Sequence, residues 1–209
     1  MIQTQNIHFQ YKKEKKMFRF PDIHLERQEH LLILGVSGIG KTTFLHILAG
    51  ILKPNKGSVK IGNIDISLLS NRALDTFRGS SIGLVFQKNL AIPSLSLLDS
   101  LKARLFFSKK PIDSKRINAL LKRVQLYPYK HKKIRQLSQG QLQRLSIALA
   151  VIHQPTLILA DEPTSSLDTE NCNNMMQLLL EEAKEHNANL IVITHDDRIK
   201  PLFTKSITL

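Results

Sequence analysis

The sequence predicts an α/β fold built on a largely parallel, covered sheet. Three observations point there. Short apolar runs, HLLIL (30–34), IGLVF (82–86), TLILA (156–160) and NLIVIT (189–194), lack polar alternation, as strands buried on both faces do. Stretches of helical character separate them, as a succession of strand–helix–strand units requires. Each run ends in polar or glycine residues, and open α/β sheets bind ligands at the carboxyl ends of their strands. With 209 residues the chain is expected to form one domain, or one domain with a subdomain. It is long enough to bury roughly 70–75% of its unfolded surface without a disulfide or a metal.

The elements follow in order. The first 27 residues alternate apolar and polar (Ile7, Phe9, Tyr11, then Phe18, Phe20, Ile23, Leu25) and read as antiparallel strands joined by the lysine-rich turn KKEKK. The run 30–34 leads into a glycine-rich segment and a helix-like stretch, TFLHILAG (43–50). GSVKIGNIDI (57–66) reads as a hairpin turning at Gly62-Asn63. Residues 96–127 carry helix-period apolar residues among many lysines and arginines, and predict a small helical insertion reaching to about residue 137, with Asp113 or Ser114 capping its second helix. A helix follows 137–141, another spans 169–186, and SITL closes the chain as a strand. The lone cysteine, Cys172, lies on the helix 169–186 and is read as a packing residue.

Composition excludes several classes. Hydrophobic residues make up 42% and charged residues 22%, which is globular and not disordered. One cysteine cannot form an internal disulfide, so nothing suggests a secreted scaffold. No apolar run approaches the roughly 18 residues of a membrane span, and the N-terminus lacks the apolar core of a signal peptide. The expectation is an intracellular chain that does not cross a membrane by itself. The net charge of +13 favours anionic partners: nucleotides, nucleic acid or a phospholipid surface.

Residues 35–42, GVSGIGKT, fit G-x-x-x-x-G-K-[ST], between an apolar strand and a helix-like run. Glycines let the backbone curl so that successive N–H groups face phosphates, and the following helix adds its N-terminal dipole. Lys41 is expected to reach the β- and γ-phosphates, and the Thr42 hydroxyl to bind Mg²⁺. The competing explanation, a turn matching by chance, is disfavoured by both flanks. In LILADE (157–162) four apolar residues end in two carboxylates, costly unless these face positive charge. Asp161 is expected to hold Mg²⁺ through water, and Glu162 to act as general base on the attacking water. An apolar strand ending in Asp-Glu is common; its pairing with the loop at 35–42 gives it weight.

The segment LSQGQ (137–141), 20 residues before Asp161, narrows the class. With it the chain resembles the nucleotide-binding subunits of ABC (ATP-binding cassette) transporters, whose motifs occur in order over nearly its whole length. The resemblance implies a P-loop NTPase with a RecA-like parallel core, an N-terminal antiparallel β subdomain and an inserted helical subdomain. The core and β subdomain would span 1–87 and 151–209, and the helical subdomain 88–150. It implies ATP and Mg²⁺ as ligands, with ATP held by Gly35, Val36, Ser37, Gly38, Ile39, Gly40, Lys41, Thr42 and Thr43, and with Tyr11, or Phe9 in its place, stacking on adenine in preference to the competing reading of a strand tyrosine facing solvent. Gln87 matches the glutamine that touches Mg²⁺ or the attacking water, so Thr42, Gln87 and Asp161 form the metal set. His195 matches the histidine that contacts the γ-phosphate and joins Glu162 and Gln87 as catalytic residues. Ser166-Leu167-Asp168 matches a loop at the subunit boundary. From a second chain, Ser138, Gln139, Gly140, Gln141 and Asp168 would approach the same nucleotide, giving a dimer around two ATP molecules.

Two departures stand out. Gln139 replaces the first glycine of the usual LSGGQ, and Leu149 stands where an arginine is common, which predicts a missing salt bridge or hydrogen bond. Within the family, VFQKNLAIPSLSLLDSL, EPTSSLD and THDDRI resemble the ATPases of lipoprotein-release, macrolide-efflux and cell-division systems. That implies a few-span integral membrane permease with a large extracytoplasmic domain, a homodimer of this chain, and a peripheral place on the cytoplasmic face of a bacterial inner or plasma membrane. Leu90, Ile92 and Leu95 suit a groove for the permease, though burial in the helical subdomain explains them equally. The alternative is a soluble ABC ATPase acting on DNA or ribosomes. Against it, the DNA-repair type carries a long coiled coil and the translation type two cassettes, so no nucleic acid is expected. The clusters at Lys12, Lys13, Lys15, Lys16 and at Lys130, Lys132, Lys133, Arg135 read first as solvated faces, and second as attraction to an anionic leaflet.

Overall fold

Five parallel strands carry the centre of the protein in the order β10–β4–β9–β8–β7: β4 (His30–Leu34), β7 (Ile82–Val85), β8 (Leu157–Asp161), β9 (Asn189–Thr194) and β10 (Lys205–Thr208). This computed structural model describes residues 1–12, 14–87, 91–165 and 167–209. Lys13, Leu90 and Ser166, singled out above, lie outside the described residues. The apolar runs at 30–34 and 189–194 are strands over their full length, that at 82–86 ends one residue early, and that at 156–160 slides by one to take in Asp161.

The absence of polar alternation has the expected cause. Leu31, Ile33, Leu157, Leu159, Ile191 and Ile193 face helix α1 (Lys41–Leu48) and the N-terminal sheet. Leu32, Leu34, Ile158, Ala160, Leu190 and Val192 face the opposite way, into a second core. That core is filled by helices α3 (Leu97–Phe107), α4 (Ser114–Arg123), α5 (Gln139–Val151) and α6 (Thr169–Glu185). Each fully buried Leu or Ile contributes roughly 1.5–3 kcal/mol, so both faces of the sheet are strongly driven to be covered. Side chains define the helix starts: Ser96, Asp113, Ser138 and Asp168 each accept a hydrogen bond from a first-turn backbone N–H. Of the two cap candidates for α4, Asp113 is the one used. Cys172 is buried in α6, as read from the sequence.

The N-terminal antiparallel sheet runs β2 (Met17–Arg19), β1 (Ile2–Gln10), β5 (Lys56–Ile61), β6 (Ile64–Asp65), with β3 (His24–Leu25) also paired to β1. The hairpin β5–β6 turns at Gly62-Asn63 with Ile61 opposite Ile64. In β1 the buried positions change parity, from Ile2 and Thr4 to Ile7 and Phe9. A register shift between Gln5 and His8 produces this, with Asn6 at φ 49°. Gly57 makes the bulge possible: at φ 92°, a Cβ on it would stand 2.4 Å from the carbonyl oxygens of Gln5 and Asn6.

Two features differ from expectation. A helix α2 (Asn71–Ser81), capped by Ser70, precedes β7. The carbonyl of Leu149 also has a partner that the sequence does not reveal. Arg104 of α3 donates through Nε to Leu149 O (3.3 Å), and its other nitrogens reach Gly79 O (3.2 Å), Ile82 O (3.1 Å), Ser108 Oγ (3.1 Å) and His153 Nε2 (2.9 Å). The guanidinium of the neighbouring helix thus binds the backbone carbonyl at this position. It gathers the carboxyl-terminal carbonyls of α2 and α5, where a cation suits the negative ends of both dipoles.

Candidate active site

The pairings Leu34–Thr194 and Asp161–Ile193 bring the ends of β4, β9 and β8 to one edge of the sheet. Three chemically suggestive segments leave the sheet there: 35–42 after β4, Glu162 after β8 and His195 after β9. The loop 35–40 ends in Gly40, at φ 120°, directly before α1. A Cβ at Gly40 would stand 2.7 Å from the Phe18 ring, so only glycine lets the loop lie against the N-terminal sheet. No side chain caps α1 and no acidic residue occupies its first turn, so its amino-terminal N–H groups and positive dipole end are open to an anion. The helix starts at Lys41, two residues before the sequence-based start.

The Lys41 side chain is only 6% exposed. Its ammonium donates to the loop's own carbonyls, Gly35 O (2.6 Å) and Val36 O (3.2 Å), and stands 3.5 Å from Glu162 Oε1. A buried ammonium surrounded by oxygens fits a place for phosphate oxygens. Thr42 Oγ1 donates to Asp161 Oδ1 (3.4 Å). Burial pushes the Asp161 carboxyl above its ordinary pKa despite that bond, as for a carboxylate lacking a close counter-charge. No group of three or more His, Cys, Asp or Glu among the described residues forms a metal cage. A hydroxyl beside one carboxylate does fit Mg²⁺, which takes few protein ligands and completes its shell with phosphate oxygens and water.

Glu162 is the most constrained group. Its backbone has φ 49°, and its N–H donates to Ile193 O (2.9 Å). Its carboxylate accepts from Thr194 Oγ1 (2.8 Å), His195 Nδ1 (3.0 Å) and, at longer range, His195 N (3.4 Å). Burial alone raises its pKa, but the bonds from His195 and Thr194, with the charges of His195 and Lys41, together hold it below the ordinary glutamate value. It is therefore ionised at neutral pH. The His195 side chain is 62% exposed, so its far edge is free to meet a ligand. Asp196 anchors the loop that follows: it accepts from Arg198 and from Thr164 Oγ1 (2.9 Å), and the Arg198 bond is the main reason its pKa falls to about 2.

The structure brings Lys41, Thr42, Asp161, Glu162 and His195 into one cluster. Gln87 is exposed and meets it across a cavity of about 220 Å³ shared with Phe86, Gln139, Ser146 and Glu162. Tyr11 lies beside the loop: its hydroxyl is 3.0 Å from Thr43 Oγ1, and its ring sits edge-on to Phe9 and Phe18. Ser138 and Gln141 form a capping box at the start of α5, and a Cβ at Gly140 would meet nothing within 4 Å. Asp168 bonds Asn171 N (2.9 Å) and Nδ2 (2.6 Å) as the cap of α6. Sequence reasoning missed Thr194, the hydroxyl donor to Glu162, and read Lys16 only as part of a basic cluster, whereas it donates to Gly38 O (3.4 Å) and lies over the Phe18 ring. Thr194, the last residue of a called strand, was the one visible signal.

Residues 20–165 match the ABC transporter family. The chain is 34% identical over 191 residues to the lipoprotein-releasing system ATP-binding protein LolD of Legionella pneumophila (strain Paris), covering 90% of this chain and 84% of that protein. The dimeric structure of MJ0796, a bacterial ABC transporter cassette, superposes with a TM-score of 0.89 at 33% identity, covering 100% of this chain and 94% of that one. A post-hydrolysis dimer of MJ0796 bound to ADP and Pi gives the same TM-score at 32% identity, with the same coverage. No helix among the described residues is long and apolar enough to cross a membrane.

Proposed function

The chain belongs to the ABC transporter ATP-binding family, and on that premise we propose how its residues carry out the family's work. It is an ATP-binding, ATP-hydrolysing subunit that drives a separate membrane permease. The observation that carries the residue assignment is the Glu162 carboxylate, ionised and aimed by Thr194 and His195 at the end of β8 beside the Lys41 ammonium.

The loop Gly35–Thr43 and the start of α1 cradle the phosphates of ATP, and Lys41 exchanges its carbonyl partners for β- and γ-phosphate oxygens. Tyr11 packs against the adenine. Thr42, Asp161 and Gln87 would hold Mg²⁺, which neutralises phosphate charge when bound. Glu162 takes the proton of the attacking water, and ATP and water become ADP and phosphate. His195 turns its exposed edge to the γ-phosphate and keeps Glu162 oriented. Ser138, Gln139, Gly140, Gln141 and Asp168 of a second copy close over the same nucleotide, so two chains bury two ATP molecules. Catalysis here is positioning and electrostatic stabilisation of a loose phosphoryl-transfer transition state.

Residues 1–87 and 151–209 serve as the nucleotide-binding core with its β subdomain, and 88–150 as the helical subdomain carrying the signature segment. The permease seats in the groove lined by Arg78, Gly79, Leu84, Phe86, Ala91 and Leu149, beside Gln87. Ile92 is exposed and Leu95 half-buried outside that lining. The kinship with LolD, together with EPTSSLD and THDDRI, supports a system of the lipoprotein-release and macrolide-efflux kind. Its permease would have few spans and a large extracytoplasmic domain, with this chain peripheral on the cytoplasmic face of a bacterial membrane.

The test is Glu162→Gln, which keeps the shape of the site and removes the base. Turnover is expected to fall by about a hundredfold or more, while ATP still produces a dimer in size-exclusion chromatography. Unchanged phosphate release would overturn the general-base assignment, and a monomer in saturating ATP would overturn the two-chain site.

A further inference from the structure

The carboxyl-terminal tip of α3 presents Phe106 and Phe107 side by side, 69% and 75% exposed, with ring centroids 5.6 Å apart. Ile112 follows at 49% exposure, and every residue from Lys109 to Lys115 is exposed. Single exposed apolar residues need no explanation, but three in seven positions on one projecting tip do. The segment 102–116 holds four lysines (Lys102, Lys109, Lys110 and Lys115), besides Arg104, which is bound internally, and Arg116, against one carboxylate, Asp113. That carboxylate is engaged by the backbone N–H groups of Lys115 and Arg116.

We propose that this tip is a docking point for an anionic phospholipid surface. Aromatic rings with an exposed apolar body, ringed by lysines, match the boundary between headgroups and acyl chains: the rings enter the apolar margin while the ammonium groups stay with the phosphates. The tip is exposed at Phe106, Phe107 and from Lys109 to Lys115 and lines no cavity described above, which suits a laterally uniform surface better than a peptide needing a concave seat. Its position agrees. Arg104, one turn before Phe107, reaches Gly79 O, and a Cβ on Gly79 would stand 3.6 Å from Phe107 O. The tip therefore borders the groove assigned above to the permease, on the face turned toward the bilayer. Only this orientation rests on the proposed function; the lipid contact itself needs neither permease nor hydrolysis.

Purified full-length protein is mixed with vesicles of phosphatidylcholine, alone or with phosphatidylglycerol, and the bound fraction is measured by sedimentation. Binding to the anionic vesicles is expected, with little to the zwitterionic ones. Phe106→Ser/Phe107→Ser and Lys109→Gln/Lys110→Gln should each lower partitioning by about tenfold or more, with ATP hydrolysis unchanged as evidence of an intact fold. Lys56→Gln/Lys60→Gln, an equal charge change on exposed positions of β5, should leave partitioning unaltered. Equal losses in both lysine variants would mean that net charge alone binds lipid, and would overturn the proposal. So would absence of binding to anionic vesicles. Tip variants that bind vesicles normally yet lose a co-purifying membrane protein would reassign the tip to a protein contact.

Discussion

Replacing Arg104 by methionine tests whether one side chain ties three parts of the fold together. Methionine keeps an apolar stem and removes all five N–H donors. The carbonyls left behind are Gly79 O in the last turn of α2, Leu149 O near the end of α5, and Ile82 O at the start of β7. Each bond from a charged donor is worth about 1.5–3 kcal/mol. Against that stands the cost of holding the guanidinium away from water, visible as the lowering of its pKa by burial. His153 Nε2 lies 3.1 Å from Ile82 O and can take over that acceptor. Two orphaned helix-end carbonyls and two lost dipole interactions remain, for a net loss of about 3 kcal/mol. For a chain of this size that corresponds to about 6–12 °C in Tm. Urea unfolding followed by circular dichroism measures it directly. Arg104→Lys restores the charge but not the planar fork, so less than half the loss should be recovered. A loss under about 1 kcal/mol for Arg104→Met, or full recovery by lysine, would refute the reasoning.

Burial, with the Arg104 charge second, pushes His153 down to about 3, so it is neutral in the fold and protonates readily only when unfolded. Stability should thus be level above about pH 6.5 and fall by about 1.4 kcal/mol per unit below it, with a shallower slope in His153→Asn; identical urea midpoints across pH would contradict this. Gly57→Ala should cost at least about 2 kcal/mol, since its Cβ meets two carbonyl oxygens at 2.4 Å in a positive-φ conformation. A thermal melt reads it, and a neutral result would mean the bulge at Asn6 relaxes freely. Lys41→Ala should abolish nucleotide binding measured with a fluorescent ATP analogue, and near-native affinity would remove Lys41 from the phosphate site.

The catalytic edge was legible because its chemistry is local. The loop 35–42, Asp161-Glu162 and His195 each directly follow an apolar run, so strand and ligand group are read from one contiguous segment. Parallel pairing then does the assembly: once β4, β9 and β8 are neighbours in register, their ends must meet. Helix α2 gave no such signal. Its apolar residues Leu74 and Phe77 are only partly buried and none of its residues is fully so, which leaves a short amphipathic stretch looking like a loop. The bulge in β1 was hidden for a related reason. Alternation read from Ile7 onward is correct, but an inserted residue reverses parity toward Ile2, and only the partner strand at Gly57 reveals it.

What stayed illegible is the bonding across the chain. The Arg104 contacts join residues 22 to 49 positions apart, on four different elements. No local pattern distinguishes that arginine from the basic residues around it on α3 and α4. The same limit hid the bond made to the carbonyl of Leu149. Position by position, α5 carries a leucine at 149; in three dimensions, the carbonyl of that residue accepts from a guanidinium on α3. What the packing requires is a planar set of donors between two helix ends, and that requirement does not specify which helix supplies it. The Arg104 variants measure what that bridge contributes, because a guanidinium whose bonds are exchanged freely for water would leave Arg104→Met nearly as stable as the parent.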